Sequence, residues 1–268
     1  MTISNSIKEN IKSLLLKFNW RFSRATDYEL LSNFFNTINP ISTNFGLIRM
    51  GGETDGGYLI PDDLEGIESC FSPGVSETAN FEFELSKNGI HCFMADYSVD
   101  GPPLNSELFH FEKKYLGLTE NSVYTTLESW VTRNATNLND SILQMDIEGS
   151  EYGVILDTSP DILRKFRIIV VEFHRLDDLC DKFGYEIINH SFRKLLKDFD
   201  IVHIHPNNCL KPVAYGKFEI PPVLEVTFLR KDRILDSKPT LIFPHQLDRQ
   251  NVPNYDDYPL PSCWFGQS

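Results

Sequence analysis

Between about residue 67 and residue 230, short apolar runs alternate with segments of helical spacing, and most of the runs stop at a polar residue. That alternation constrains the fold more than any other feature of the chain. Strands separated by helices are joined by crossovers, which give a parallel sheet with helices on its faces. The predicted strands are the apolar runs at 69–71, 91–95, 141–145, 167–171, 200–205 and 224–229, with a weaker one at 109–111 and a short one at 58–60. Helical segments are predicted at 79–87, within 122–131, at 151–156 and at 183–199. Apolar runs without polar alternation suit strands buried on both faces. The expected fold class is α/β, with one doubly wound, mostly parallel sheet.

The ends of the chain read differently. Ile7, Ile11, Leu14, Leu15 and Phe18 recur at helical spacing, and Leu30, Leu31, Phe34 and Phe35 follow Asp27. Residues 1–48 are read as an N-terminal helical extension, a cap or a homodimer contact. Residues 49–234 form the main domain, and 235–268, with many Pro, Asp and Asn residues, a tail packed on it that wraps the surface. Lys and Arg number 25 against 38 Asp and Glu, a net charge of −13. Such a surface repels phosphate backbones and argues against a nucleic-acid partner. Trp20, Trp130 and Trp264 are scattered and make no base-stacking platform. The 5 cysteines include no C-x-x-C pair, which argues against a disulfide framework and a zinc ribbon. No stretch has the apolar length of a signal peptide or a membrane span, so no membrane insertion is expected and the cytoplasm is the default setting.

In open α/β sheets ligands bind outside the carboxyl ends of the strands. Ser72-Pro73-Gly74-Val75-Ser76 follows the first strand, where a glycine lets backbone approach a ligand. Asp96 ends the second, where an acid in a Rossmann-like unit accepts from ribose hydroxyls. Both also have plain structural readings, a strand-to-helix turn and an Asx-type bond. The missing G-x-G-x-x-G counts against NAD.

Further along comes Asp146-Ile147-Glu148-Gly149-Ser150-Glu151. Continued extension would put Asp146 and Glu148 on one side, Gly149 permits a sharp turn, and Glu151 suits the positive end of the next helix. Three carboxylates this close are costly unless paired or used. Glu172 and His174 share a side in the same way. His174 suits a general base, with Glu172 orienting it or binding a metal. His203, His205, Asn207 and Asn208 could grip a sugar or a divalent ion, or form a Pro-Asn turn. Glu225 is an acid in an apolar strand and needs a partner.

The Asp146-to-Glu151 segment, preceded by Thr126-Leu127-Glu128-Ser129-Trp130, resembles the D-x-E-G-x-E and T-L-D/E elements of the FkbM-type family of S-adenosylmethionine-dependent methyltransferases. The order of the Gly74 loop, Asp96 and Asp146 is similar to a class I methyltransferase, and Asp55-Gly56-Gly57-Tyr58 looks like a lead-in element of a related subgroup. The resemblance covers roughly residues 50–230; Pro73 stands where many members have glycine.

It implies a Rossmann-like sheet that binds S-adenosylmethionine through Asp55, Gly57, Gly74, Ser76, Asp96 and Asp146. Gly74 and Ser76 would take the methionine end, Asp96 the ribose, and Asp146 would line the reaction centre. The implied reaction is O-methylation of a sugar or other small hydroxyl-bearing substrate, such as a surface-glycan precursor. His174 is the expected base, with Glu172 and His205 as neighbours. One alternative is metal-assisted transfer, with Asp146 and Glu172 holding Mg²⁺ or Mn²⁺. Another, of a different class, is a non-catalytic nucleoside-binding or assembly protein, which has no need of so many acids and histidines at strand ends.

Overall fold

The computed structural model describes residues 5–18, 23–134 and 140–266, with backbone alone for 5–9 and 11. The side chains of Ile7 and Ile11, and Trp20, thus lie outside the described residues. The central sheet has seven strands: β1 (Ser69–Pro73), β2 (His91–Ala95), β3 (Phe109–Glu112), β4 (Ser141–Met145), β5 (Phe166–Phe173), β6 (Phe199–Pro206) and β7 (Leu224–Arg230). Their order across the sheet is β6-β7-β5-β4-β1-β2-β3. β1 pairs in parallel with β2 and with β4, β4 with β5, and β2 with β3. From β1 the chain moves outward to β3, then returns to β4 on the other side of β1. The topological switch point therefore falls between β1 and β4, where the carboxyl ends of adjacent strands open a crevice.

The sheet is not parallel throughout. β7 runs antiparallel to both β5 and β6 and is inserted between them. Each partner reaches it through an antiparallel ladder, so no crossover helix is needed there.

The helices are α1 (Asn5–Lys17), α2 (Tyr28–Thr37), α3 (Asn80–Lys87), α4 (Leu127–Asn134), α5 (Glu151–Asp157), α6 (Pro160–Leu163) and α7 (Lys182–Leu195), of which α2 to α7 contribute buried side chains to the layers on the sheet. α7 starts where Asp181 accepts from the amides of Phe183 and Gly184 at 3.0 Å each, satisfying two donors that the helix itself cannot. It stops four residues earlier than the apolar pattern suggests, because Phe199 is already the first buried residue of β6.

Alternation along the strands sorts their side chains between two apolar layers. Ile169, Val171 and Phe173 of β5 meet Leu31, Phe34 and Phe35 of α2, the inner faces of α4, α5 and α7, and Trp264 of the tail. Ile168 and Val170 face the other way, onto Phe81 and Leu85 of α3 and onto an antiparallel ribbon of Leu47–Met50 and Tyr58–Pro61. Each large side chain buried this way stabilises by about 1.5–3 kcal/mol. The tail does more than wrap the surface: Ser237–Pro239 pairs with Ile41–Thr43, and Trp264 is fully buried.

On the ribbon face the layer changes character toward the carboxyl ends. Ser72, Gln144, Glu172, Glu225, Thr227, His203 and His205 are all buried there. Glu225 is in register with Glu172 on one side and with His205 on the other. Ribbon and tail carry carbonyls and side-chain amides that can serve such groups. The Thr227 hydroxyl, for example, donates to the Leu59 carbonyl at 2.7 Å.

Candidate functional site

The crevice at the switch point holds a polar cavity of about 300 Å³, lined among others by Asp55, Gly56, Tyr58, Gly74, Ser76 and Asp146. Gly74 has φ +87°, and a Cβ there would stand 1.6 Å from the Asp146 carbonyl oxygen. The glycine is therefore required by the contact between the β1 and β4 ends, whatever else it approaches. Its amide donates to the Ala95 carbonyl at 3.0 Å. Asp96 lies just behind and is almost fully buried. One carboxylate oxygen accepts from the Ser76 amide at 2.9 Å, the other from the Ser98 amide at 2.7 Å and hydroxyl at 2.6 Å. The Asx-type bond is thus present, and Asp96 braces the loop that lines the cavity. Gly57 does not line it; it is buried beside the Arg49 guanidinium and the Gly52 carbonyl.

At the end of β4 the expected extension does not persist. The strand stops at Met145, and Glu148 takes a left-handed conformation (φ 56°) ahead of Gly149. The turn swings Glu148 outward, to 86% side-chain exposure, and brings its carboxylate toward His174. Glu151 folds back under the turn. It is fully buried, and Oε1 accepts from the amides of Ile147 (3.2 Å) and Gly149 (3.0 Å) and faces His174 Nδ1 at 3.2 Å.

The His174 ring follows β5 and stands at the centre of these acids. Its Nε2 is 3.5 Å from Glu148 Oε2, 3.8 Å from Glu172 Oε1 and 3.9 Å from Asp146 Oδ1. Burial opposes the imidazolium, but Glu151, Asp146 and Glu148 overcome it and hold His174 above the ordinary imidazole value. Burial, reinforced by Glu148, Asp55 and Glu151 and opposed by His174, pushes Asp146 up to about 7. Burial also lifts Glu172 well above the carboxylate range, with Asp146, Glu225 and Asp55 adding to it.

Glu172 Oε1 accepts from Asn207 at 2.9 Å, while Oε2 has no partner. Glu225, beside it, accepts from Asn251 of the tail. His205 comes next along the row, two strands from Glu172, with neither ring nitrogen hydrogen-bonded and Asp248 Oδ2 at 3.6 Å from Nδ1. The structure thus gathers Asp146, Glu172 and His174 at one point and leaves His205 in a separate cluster with His203, Asp248 and Glu225. Asn208 serves the tail instead, exchanging bonds with the Val252 backbone.

Glu82, Gln144, Asp248 and Asn251 escape a reading of the sequence. Asp248 and Asn251 lie in a segment with no motif. Glu82, Ser72, Gln144 and Tyr58 form a buried chain beside the cavity: Ser72 bonds to Glu82 and, at 2.6 Å, to Gln144, whose amide donates to the Tyr58 hydroxyl at 3.1 Å. A buried Glu in a helix and a Gln in an apolar strand were the available signals. Glu148 was visible as an acid, but its left-handed turn was not.

A polar crevice at the switch point of a doubly wound sheet, with titratable side chains massed beside it, is where proteins of this class bind nucleoside-like ligands. Residues 93–196 match the family model of the methyltransferase FkbM domain. This part of the chain is thus similar to a methyltransferase FkbM domain, the family that the Asp146-to-Glu151 motif resembles. The match runs from β2 through α7 and contains Asp96, Asp146, Glu172 and His174; Asp55, Gly57, Gly74, Ser76 and His205 fall outside it. No curated protein matches the chain. One solved structure, from work on "Conversion of a Disulfide Bond into a Thioacetal Group during Echinomycin Biosynthesis", aligns over 61% of this chain and 76% of its own, at 11% identity and a TM-score of 0.31, too slight a likeness to argue from. Among the described residues no helix is long and apolar enough to cross a membrane.

Proposed function

We propose that this protein transfers the methyl group of S-adenosylmethionine to a hydroxyl oxygen of a small molecule or glycan precursor. The observation that carries the reading is the position of the His174 cluster. It shares Asp146 with the crevice at the β1 and β4 ends, so a methyl donor in the crevice and an acceptor over His174 would meet at Asp146. The donor supplies an electrophilic methyl on a sulfonium leaving group. What remains for the protein is positioning and removal of the acceptor proton. An oxygen–carbon bond forms as the carbon–sulfur bond breaks, the electron pair stays on sulfur, and the hydroxyl proton passes to His174.

In this reading Gly74 and Ser76 lie along the methionine end and Asp96 holds the loop toward the ribose. Asp55 and Gly57 belong to the ribbon turn over the crevice. Glu151 fixes the His174 ring through Nδ1, and Glu172 stands beside Nε2. A divalent ion held by the same side chains is a second route to activating the hydroxyl. The five free cysteines suit a reducing compartment, and the reading places the reaction in the cytoplasm.

Calorimetric titration with S-adenosylmethionine should show saturable binding, and a panel of sugar hydroxyl acceptors should show turnover. His174→Ala should leave that binding unchanged and lower kcat by about 10²–10⁴-fold. Folded protein that binds no S-adenosylmethionine would overturn the reading. Binding without turnover on any acceptor would favour a non-catalytic nucleoside-binding protein.

A further inference from the structure

We propose that Asp146, Glu148 and His174 together bind a divalent cation, Mn²⁺ or its close substitute Mg²⁺. One ligand atom from each of the three lies within 4.8 Å of the others. The sequence suggests Asp146 with Glu172; the structure puts Glu148 and His174 in the ligand set and Glu172 beside it.

The argument starts at the imidazole. Its Nδ1 faces the buried Glu151 carboxylate, which itself accepts two backbone amides and so has reason to be ionised. A proton on Nδ1 turns the lone pair of Nε2 toward Asp146, Glu148 and Glu172. A carboxylate behind the distal nitrogen is the arrangement that orients metal-binding histidines. The three oxygens stand 3.5, 3.8 and 3.9 Å from Nε2, beyond hydrogen-bond length. Two donors bound to one ion at about 2.0–2.2 Å stand about 3–3.5 Å apart, so the oxygens at Nε2 are within about an ångström of the separation that a shared ion would set.

A second observation points to missing positive charge. The Glu172 side chain is 5% exposed, its Oε2 has no partner, and its Oε1 is one of the three oxygens at Nε2. Asp146 Oδ1, another of the three, is buried without a hydrogen bond. Buried carboxylate oxygens without a hydrogen bond cost free energy unless they are protonated or a cation serves them.

The donor set names the ion class. Carboxylates suit Mg²⁺ and Mn²⁺, an imidazole shifts the preference toward Mn²⁺, and no thiolate is present to favour a softer metal. Glu148 is on the open side, so the ion can enter from solvent and keep positions free for an acceptor hydroxyl, whose pKa it would lower. This last step rests on the proposed methyl transfer. With the ion bound, His174 would be a ligand rather than the base, and Glu172, whose Oε1 lies beside Nε2, would be placed to take the hydroxyl proton.

The test titrates the full-length, EDTA-treated protein with Mn²⁺ alone, followed by electron paramagnetic resonance. One site per chain is expected, with nitrogen coupling from one imidazole. Glu148→Gln, at an exposed position that does not endanger folding, should weaken binding at least tenfold. His174→Gln should remove the nitrogen coupling, and Glu53→Gln, an exposed acid outside the cluster, should leave the Kd unchanged. No stoichiometric binding, or equal binding by Glu148→Gln, overturns the site. If Mn²⁺ fails to bind while S-adenosylmethionine still does, the ion is wrong and methyl transfer stands. The opposite pattern removes the methyl-transfer reading and keeps the ion site.

Discussion

Gly74 shows how one missing side chain holds the site together. The ends of β1 and β4 touch through its Cα and the Asp146 carbonyl, so the crevice and the acidic turn share a backbone contact. Any Cβ there meets both a left-handed backbone and a carbonyl that belongs to the next strand. Gly74→Ala should therefore lower stability by about 2–4 kcal/mol, through conformational strain and overpacking together. Gly89 makes the control. It has φ +80° but open space around the added atom, so Gly89→Ala should cost only about 1–2 kcal/mol. Urea denaturation of both variants checks the difference. Equal losses would mean that the Asp146 contact relaxes freely.

Among the elements, β6, β7 and the tail segment that crosses them form a charged clamp. Asp248 Oδ1 lies 2.8 Å from His203 Nε2, and Oδ2 lies near His205 and accepts from the His245 amide at 2.7 Å. Burial would raise Asp248, but the two imidazoles overcome it and hold it below the carboxylate range. Its contribution to stability is present above about pH 4 and is lost as pH falls through its folded value. For His205 burial opposes the charge, while Asp248, Glu225 and Asp257 overcome it and raise the pKa. That contribution is full below about pH 6.5 and is lost as pH rises through the folded value. The clamp should thus be strongest between about pH 4 and 6.5. Melting curves across pH should show Asp248→Asn destabilised by about 2–4 kcal/mol near pH 6, with the gap narrowing toward alkaline pH. A gap that stays constant from pH 6 to 9 would remove His205 from the account.

At the scale of the molecule, α2 and the tail are built into one core with the sheet. Trp264 packs edge-on against Phe34 and Phe35 of α2 and donates from its indole nitrogen to the Glu219 carbonyl at 3.1 Å. Phe34 continues the contact to Phe192 of α7, which stacks on Phe173 at the end of β5. The chain of rings links the tail to the strand that carries Glu172 and precedes His174. Trp264→Ala should cost about 3–5 kcal/mol. Unfolding followed by far-ultraviolet circular dichroism and by fluorescence of the remaining tryptophans should give coincident transitions at a lower midpoint. A separate early transition in the variant would show α2 and the tail folding apart from the sheet.

Much of this was legible in the residues themselves. The strand periodicity, the acids at Asp96, Asp146 and Glu172, and the family motif all rest on local spacing, and local spacing determines which residues end a strand. The insertion of β7 between β5 and β6 was not legible, because a strand carries no mark of its neighbours. That pairing sets Glu172, Glu225 and His205 in one row. Nor could spacing show that Glu148 leaves the strand line at a left-handed turn, which brings its carboxylate toward His174. Asp248 and Asn251 act through contacts formed across 45 and 26 residues of chain, with His203 and Glu225. The sequence by itself determined the class of sheet and the chemical types available at its carboxyl edge. Which of those groups meet was decided by tertiary structure, because meeting depends on strand order, register and the path of the tail, and those are settled by burying two apolar layers at once.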